Sequence, residues 1–257
     1  MMLSKNKVSE ISALHQKKHR LSTGFFIVEG EKIVDELLSS SWEIIDLYAT
    51  TELVEKYTSR GPQIQLAEAH LFAKISTLKN PAGILAVVRQ KLNDINQIEL
   101  KDNFTLCLDG VRDPGNLGTI IRIADWFGIQ NIICSTDTVD MYNSKTIQAT
   151  MGSFLRVNVI YTSLTPFLNQ AKAQQVPLFG AVLNGENVYD KKSVKQGIII
   201  MGSESHGISD EVKDLIDEPI TIPAKLLSNE QVGGAIDSLN VAIATSVICA
   251  VFAGKQL

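Results

Sequence analysis

The sequence contains only three cysteines and four histidines, and neither type occurs at a spacing that could ligate a metal. Cys107, Cys134 and Cys249 each lie within an apolar stretch, which indicates buried thiols. We therefore expect neither a metal site nor a disulfide framework.

Long apolar runs are also missing. No run approaches the roughly 20 residues that a helix needs to cross a bilayer. The first 18 residues are polar and lack the apolar segment of a secretory signal. We therefore expect a cytoplasmic protein that does not span a membrane.

The sequence also lacks a glycine-rich nucleotide-binding fingerprint and a positive net charge. The GxGxxG fingerprint does not occur, so an ordinary dinucleotide-dependent enzyme is a poor match. The formal net charge of −4 argues against non-specific nucleic-acid binding by the whole surface. Basic residues are concentrated in residues 4–20, which carry five Lys or Arg and a single acid. This strip is either a local phosphate contact or a solvated helix face.

The sequence does contain β-like and helical segments that alternate in two separate parts of the chain. This alternation runs over residues 1–92 and restarts over residues 104–257, with a polar linker at 93–103. In the second part the strands are continuous apolar runs, such as FTLCL at 104–108, which is typical of a parallel sheet covered on both faces. We therefore predict an α/β fold with two domains.

The first stretch with chemical content is DPGNLGTIIR at 113–122, which follows a predicted strand. In open α/β sheets, ligands bind at such loops. Asn116, Thr119 and Arg122 are three residues apart, so one amide and one guanidinium reach the same space near the start of the helix. A capped helix with a surface arginine would have the same pattern.

Two further stretches have the same position in the pattern. In GSESHG at 202–207, Glu204 could receive an amine or a ribose hydroxyl, cap the next helix, or pair with Arg122. In SLNVA at 238–242, small polar residues stand at the head of an apolar segment that ends at Phe252. There Ser238 or Asn240 could cap a buried helix predicted over residues 238–252.

Together with ITIP at 220–223, these stretches resemble the three motifs of the SpoU family of RNA ribose 2′-O-methyltransferases, in the SPOUT superfamily. The resemblance covers residues 104–257. FFIVEGEKIVDELL at 25–38 is similar to the small RNA-binding domain of many members, which resembles a ribosomal protein. The resemblance implies a deep C-terminal trefoil knot and the cofactor S-adenosyl-L-methionine.

The resemblance also implies roles for individual residues. Arg122 would engage the ribose 2′-hydroxyl, with Asn116 beside it. The implied catalytic residues are Asn116, Arg122, Glu204, Ser238 and Asn240. The implied cofactor-binding residues are Val182, Leu183, Asn184, Met201, Gly202, Glu204, Gly207, Ile222, Leu226, Ser238, Leu239 and Asn240. The expected RNA contacts are Lys17, Lys18, Arg20, Arg112 and Arg122.

The implied partners are structured RNA, with ribosomal RNA favoured over transfer RNA, and a second copy of the chain. Family members form dimers through the last helix, which agrees with the apolar run at 241–252, although a buried helix in a monomer explains that run equally well. The loop between Pro223 and Ser238 is longer than in family members, so its contacts with the cofactor stay open. The alternative from another function class is an RNA-binding protein with this fold and no turnover.

Overall fold

The computed structural model describes residues 3–58, 63–191, 194–224 and 238–253. The chain divides into two units, which are Met1–Leu92 with Asp140–Leu155, and Asn93–Val139 with Arg156–Leu257. Residues 140–155 therefore lie with the N-terminal unit, whereas the sequence pattern placed them in the domain 104–257.

The first unit is a small α/β unit with a four-stranded sheet. Its elements are α1 (Lys5–Ala13), α2 (Lys17–Thr23), β1 (Phe25–Glu29), α3 (Glu31–Leu38), β2 (Ile44–Ala49), α4 (Thr51–Tyr57), β3 (Ile64–Leu66), α5 (Ala69–Ile75), β4 (Ile84–Arg89) and, later in the chain, α7 (Ser144–Thr150). The strand order is β1-β4-β2-β3, with β4 antiparallel to both of its neighbours. One face of this sheet packs against α1 and α5 through apolar side chains such as Ile11, Phe72 and Leu85.

Arg20 lies inside this unit, with only 3% of its surface exposed. Its guanidinium donates to the Asp140 carboxylate at 2.7 and 3.0 Å and to the carbonyl oxygens of Leu14 and His15 at 2.9 and 3.0 Å. A buried guanidinium needs such partners, because burying an unpaired charge is very costly. This placement corrects the expectation that Arg20 contacts RNA, since Arg20 instead joins α2 to the start of segment 140–155.

The second unit contains a six-stranded sheet in which all strands are parallel. Its elements are β5 (Phe104–Asp109), α6 (Pro114–Trp126), β6 (Asn131–Cys134), β7 (Asn158–Tyr161), α8 (Leu164–Ala173), β8 (Leu178–Asn187), β9 (Gly197–Gly202), α9 (Asp210–Lys213), β10 (Glu218–Thr221) and α10 (Val241–Phe252). The strand order is β10-β8-β9-β5-β6-β7. The predicted α/β fold with a parallel sheet is confirmed.

The core of the second unit contains the apolar strand residues that the sequence pattern indicated. Cys107, Cys134 and Cys249 are free and buried, and burial raises the pKa of all three thiols, that of Cys249 to about 12. Leu100, from the stretch 93–103 that we expected to be a linker, is buried in the same core. Among the described residues, no helix is long and apolar enough to cross a membrane.

Replacing Arg20 by Met should lower the free energy of unfolding by about 3–5 kcal/mol, because Asp140 would keep a largely buried carboxylate without its partner. Urea denaturation measures the change. Lys17→Met, on the exposed side of the same helix, is the matched control and should cost less than about 0.5 kcal/mol. Equal stability of the two variants would contradict this account of Arg20.

Candidate functional site

Three strands of the parallel sheet end at the same edge. Asp109 at the end of β5 pairs with Gly202 at the end of β9, and Leu108 pairs with Cys134 at the end of β6. The loops that follow are joined to one another, since the Ser209 backbone N–H donates to the Asp109 carboxylate at 2.7 Å. The first two polar segments found in the sequence, 113–122 and 202–207, therefore follow strands that end at one edge of one sheet.

The first loop runs directly into α6, and its sequence determines how the helix begins. Asp113 is the N-cap, and its carboxylate accepts a hydrogen bond from the Asn116 N–H at 2.8 Å. Pro114 occupies the first helical position, where its missing N–H costs nothing. Asn116 is therefore held in the first turn of α6 at the sheet edge.

The last helix begins at Val241, three residues later than predicted. Asn240 has an extended backbone with φ −52° and ψ 138°, and its side-chain oxygen accepts from the N–H groups of Ala242 and Ile243 at 2.9 and 3.3 Å. Asn240 is thus the cap, and Ser238 is an exposed residue before the helix. The capping hydrogen bonds require Asn240 to be non-helical, which explains the difference from the prediction.

Three side chains from the three motifs are linked in series. Because the Asn240 oxygen accepts from backbone donors, its Nδ2 is the remaining donor, and it donates to Asn116 Oδ1 at 3.0 Å. This bond leaves Asn116 Nδ2 to donate to Glu204 Oε1 at 2.5 Å. The backbone of α10 therefore fixes the orientation of both amides, and Glu204 is the acceptor at the end of the series.

The loop that carries Glu204 is narrow. Ser203 and Gly207 exchange two backbone hydrogen bonds of 2.9 and 3.0 Å. A Cβ on Gly202 would lie 2.1 Å from the carbonyl carbon of Gly207, so no other residue fits there without a shift. His206 is exposed on this loop, and Glu204 bonds to Asn116 rather than to Arg122.

Arg122 lies on the same helix as Asn116, about 9 Å further along its axis at 1.5 Å per residue. Its side chain is exposed, and within the described part of the chain its guanidinium makes no hydrogen bond or ion pair. The structure therefore brings Asn116, Glu204 and Asn240 into contact, whereas Arg122 stands near them without a partner among these residues.

The residues expected to bind the cofactor differ in exposure. Leu183 and Leu239 are large apolar side chains that are 68% and 50% exposed. Asn184 and Gly207 are exposed as well, and Val182, Gly202 and Ile222 are half-buried. Met201 is 3% exposed, so its side chain belongs to the core and only its backbone is available to a ligand. Leu226 lies outside the described residues.

The other arginine expected to contact RNA, Arg112, is 70% exposed and lies 3.3 Å from Asp137. A hydrogen bond from Ser135, with a smaller contribution from Arg112, lowers the pKa of Asp137. An ion pair this exposed contributes little and opens readily. Lys17 and Lys18, in the other unit, are also exposed.

Ser135 lies beneath the loop that follows β5 and was not identified from the sequence. The Ser135 hydroxyl, buried at the end of β6, accepts from the Gly110 N–H at 2.9 Å and donates to Asp137 at 2.6 Å. Only its place after a predicted strand could have indicated this role, since it belongs to no motif. Among the described residues, no cluster of His, Cys, Asp or Glu could hold a metal ion.

Comparison with protein families gives two matches that together span most of the chain. Residues 103–250 match the SpoU rRNA methylase family. Residues 5–86 match the MRM3-like substrate binding domain.

Similar proteins cover three quarters of the chain or more. The chain is 28% identical over 247 residues to the 23S rRNA (guanosine(2553)-2′-O)-methyltransferase RlmP of Bacillus subtilis, covering 94% of each. It is 29% identical to the 23S rRNA (guanosine-2′-O-)-methyltransferase RlmB of Escherichia coli, covering 76% of this chain and 80% of that one. The AdoMet-bound rRNA methyltransferase of Sinorhizobium meliloti superposes with a TM-score of 0.87 at 30% identity, covering 100% of this chain and 97% of that one. This chain therefore belongs to the SpoU rRNA methylase family.

Proposed function

We propose that this chain is an S-adenosyl-L-methionine-dependent methyltransferase that methylates a ribose 2′-hydroxyl in ribosomal RNA. The observation that carries the proposal is the contact of Asn116 with both Glu204 and Asn240, one residue from each motif, at one sheet edge. Family membership supports the reaction class. Ribosomal RNA is favoured over transfer RNA because the relatives named above are 23S rRNA methyltransferases.

The residues around this edge fit the proposed cofactor. S-adenosyl-L-methionine has a flat base, a polar ribose and a charged amino-acid group, so its site needs both apolar and hydrogen-bonding surface. Leu183 and Leu239 offer apolar surface that no core covers, while Asn184 and Glu204 offer exposed polar groups. We assign the cofactor to the loops that begin near 182, 201 and 222 and to the segment 238–240.

The cofactor supplies a methyl group already activated by a positively charged sulfur, so the protein need not form a covalent intermediate. The protein has to align the ribose oxygen with the methyl group, and such positioning can lower the activation barrier by at most roughly 7–11 kcal/mol. Glu204 has a second carboxylate oxygen that can accept a hydrogen bond from a ribose hydroxyl. Asn116 holds Glu204 through the first oxygen.

Arg122 has a different part in this mechanism. A guanidinium keeps its proton in proteins and has five donors and no acceptor, so it does not serve as a base. It can orient the 2′-hydroxyl and a neighbouring phosphate, and it can stabilise the negative charge that develops on the oxygen. Its exposed position without an acceptor among the described residues leaves these donors available.

Arg122→Ala should lower the rate of methyl transfer at saturating cofactor by at least about 100-fold, because one donor to the developing charge is lost. The rate is measured as incorporation of labelled methyl groups into ribosomal RNA from cells that lack the protein. Calorimetric titration should give a cofactor affinity within about twofold of wild type. Arg156→Ala is the control, since Arg156 pairs with Asp125 on the surface.

Full activity of Arg122→Ala would contradict this role. If the wild-type protein fails to bind the cofactor, the chain is instead an RNA-binding module without turnover. Mapping ribose methylation in RNA from cells with and without the protein identifies the nucleotide.

We also propose that the first unit binds the RNA substrate, in agreement with its match to a substrate binding domain. Lys17 and Lys18 are exposed on neighbouring positions of α2 and are the cations we assign to the phosphates. Attraction would be local, because the chain as a whole is acidic.

Replacing Lys17 and Lys18 together by Ala should weaken RNA binding and reduce the slope of log affinity against log salt by about 1.5, since two phosphate contacts are lost. Filter binding at several salt concentrations measures the slope. Lys56→Ala with Lys213→Ala is the control, because each of these lysines is paired with an acid. An unchanged slope would remove α2 from the RNA interface.

We further propose a homodimer through α10. One side of this helix is buried, whereas Ile243 on the other side is 54% exposed and Ala250 is exposed. The neighbouring helix α6, which packs against α10, ends in Trp126 at 81% exposure. Large apolar side chains exposed on two packed helices are the kind of surface that protein interfaces cover.

Ile243→Glu should convert the dimer into a monomer, because a carboxylate would be buried without a partner in the interface. Size-exclusion chromatography with light scattering measures the mass. Leu92→Glu, at a leucine that is 99% exposed in the other unit, should leave the mass unchanged. A wild-type protein that is monomeric at all concentrations would exclude the dimer.

The C-terminal trefoil knot and a cytoplasmic location belong to the same proposal. The knot is implied by the family resemblance. The location follows from the proposed substrate, because ribosomal RNA is modified where ribosomes are assembled.

A further inference from the structure

The pairing of strand β8 with β10 is interrupted over five residues of β8. The sequence pattern does not indicate this interruption. Gly180 of β8 pairs with Pro219 of β10, but the next residue of β10, Ile220, pairs with Glu186. Residues 181–185 therefore stand between two consecutive positions of the partner strand. We call residues 181–185 the β8 excursion. Leu183 and Asn184, near its centre, are exposed.

The β8 excursion is tied to β10 near its centre. The Thr221 hydroxyl donates to the Leu183 carbonyl oxygen at 3.0 Å. This bond holds the backbone of Leu183, whose side chain is 68% exposed. Nothing in the pairing of the two strands requires it, since Thr221 itself pairs with Asn187.

The end of the β8 excursion is held by close packing. A Cβ on Gly185 would lie 2.5–2.7 Å from the backbone atoms of Ile220, so the glycine lies flat against β10. The chain then enters a short 3-10 helix, Val188–Asp190, in which Val188 is fully buried. The point at which the β8 excursion rejoins the sheet is therefore fixed.

Lys191 forms ion pairs that link the end of the β8 excursion to β10. Lys191 Nζ lies 2.6 Å from a carboxylate oxygen of Glu186 and 2.6 Å from one of Glu218, and only 12% of the lysine side chain is exposed. These carboxylates raise the pKa of Lys191, so the ammonium stays charged at neutral pH. The ammonium thus connects the residue that follows the β8 excursion with the first residue of β10.

We infer that Thr221 and Lys191 are positioning residues for cofactor binding, which hold the β8 excursion in the conformation that receives S-adenosyl-L-methionine. The inference rests on the proposed function, which assigns Val182, Leu183 and Asn184 to the cofactor. Neither Thr221 nor Lys191 is assigned to touch the cofactor. They act by ordering the loop beforehand, so that binding does not include the entropy cost of ordering it.

Thr221→Val removes the hydroxyl and keeps the branched shape that suits a strand. It should weaken the calorimetric affinity for S-adenosyl-L-methionine by about 3- to 10-fold, the value of one hydrogen bond. Turnover at saturating cofactor and KM for RNA should stay within about twofold. Thr221→Ser, which restores the hydroxyl, should recover the affinity.

Lys191→Met tests the second tie by the same titration and should weaken cofactor affinity about tenfold, while Lys191→Arg should recover most of it. Lys172→Met is the matched control. Lys172 pairs with Asp217 at 2.7 Å and donates to the Leu215 carbonyl at 2.9 Å in the same unit, and neither partner belongs to the β8 excursion. Its loss should leave the cofactor affinity unchanged.

The results separate the inference from the proposed function. Weaker cofactor binding with unchanged turnover, together with recovery in Thr221→Ser and Lys191→Arg, supports it. Unchanged affinity in both Thr221→Val and Lys191→Met overturns it while leaving the methyltransferase assignment intact. A joint fall in cofactor affinity, turnover and melting temperature also overturns it, because such a result indicates a purely structural role. A wild-type protein that does not bind the cofactor overturns both.

Discussion

The site depends on one side-chain amide, that of Asn116. Its oxygen accepts from Asn240 and its nitrogen donates to Glu204, so both ends of the amide are used. The bond to Asn240 is worth about 1 kcal/mol and the bond to the Glu204 carboxylate somewhat more, and together they join segments that lie 124 and 88 residues away along the chain. An aspartate at this position would bring two carboxylates together, which is why the amide is needed chemically.

The parallel sheet makes this contact possible. Because β5, β6 and β9 end in register, the loops that follow them start side by side and α6 starts among them. The backbone donors of α10 then determine which way both amides point. Rigid elements thus position the polar groups, while the more exposed parts, such as the β8 excursion, need ties of their own.

How far the sequence predicts this site depends on the range of the interaction. Asp113 and Pro114 determine the start of α6 through contacts within four residues, so the helix, its cap and the place of Asn116 were predictable. The β8 excursion was not, because Thr221 and Gly185 act across strands. Arg20 was expected to contact RNA because it belongs to the basic strip at residues 4–20, whereas its burial depends on partners that include the distant Asp140.

The sequence by itself determined the α/β alternation, the parallel sheet, the buried cysteines and the family. These follow from apolar periodicity and from motifs, which are local properties of the chain. Only the tertiary structure decided that Asn240 rather than Ser238 caps α10, that Glu204 bonds to Asn116 rather than to Arg122, and that Arg20 is buried. The physical reason is that a polar side chain with several possible partners forms its hydrogen bond with the one that the fold brings within about 3 Å.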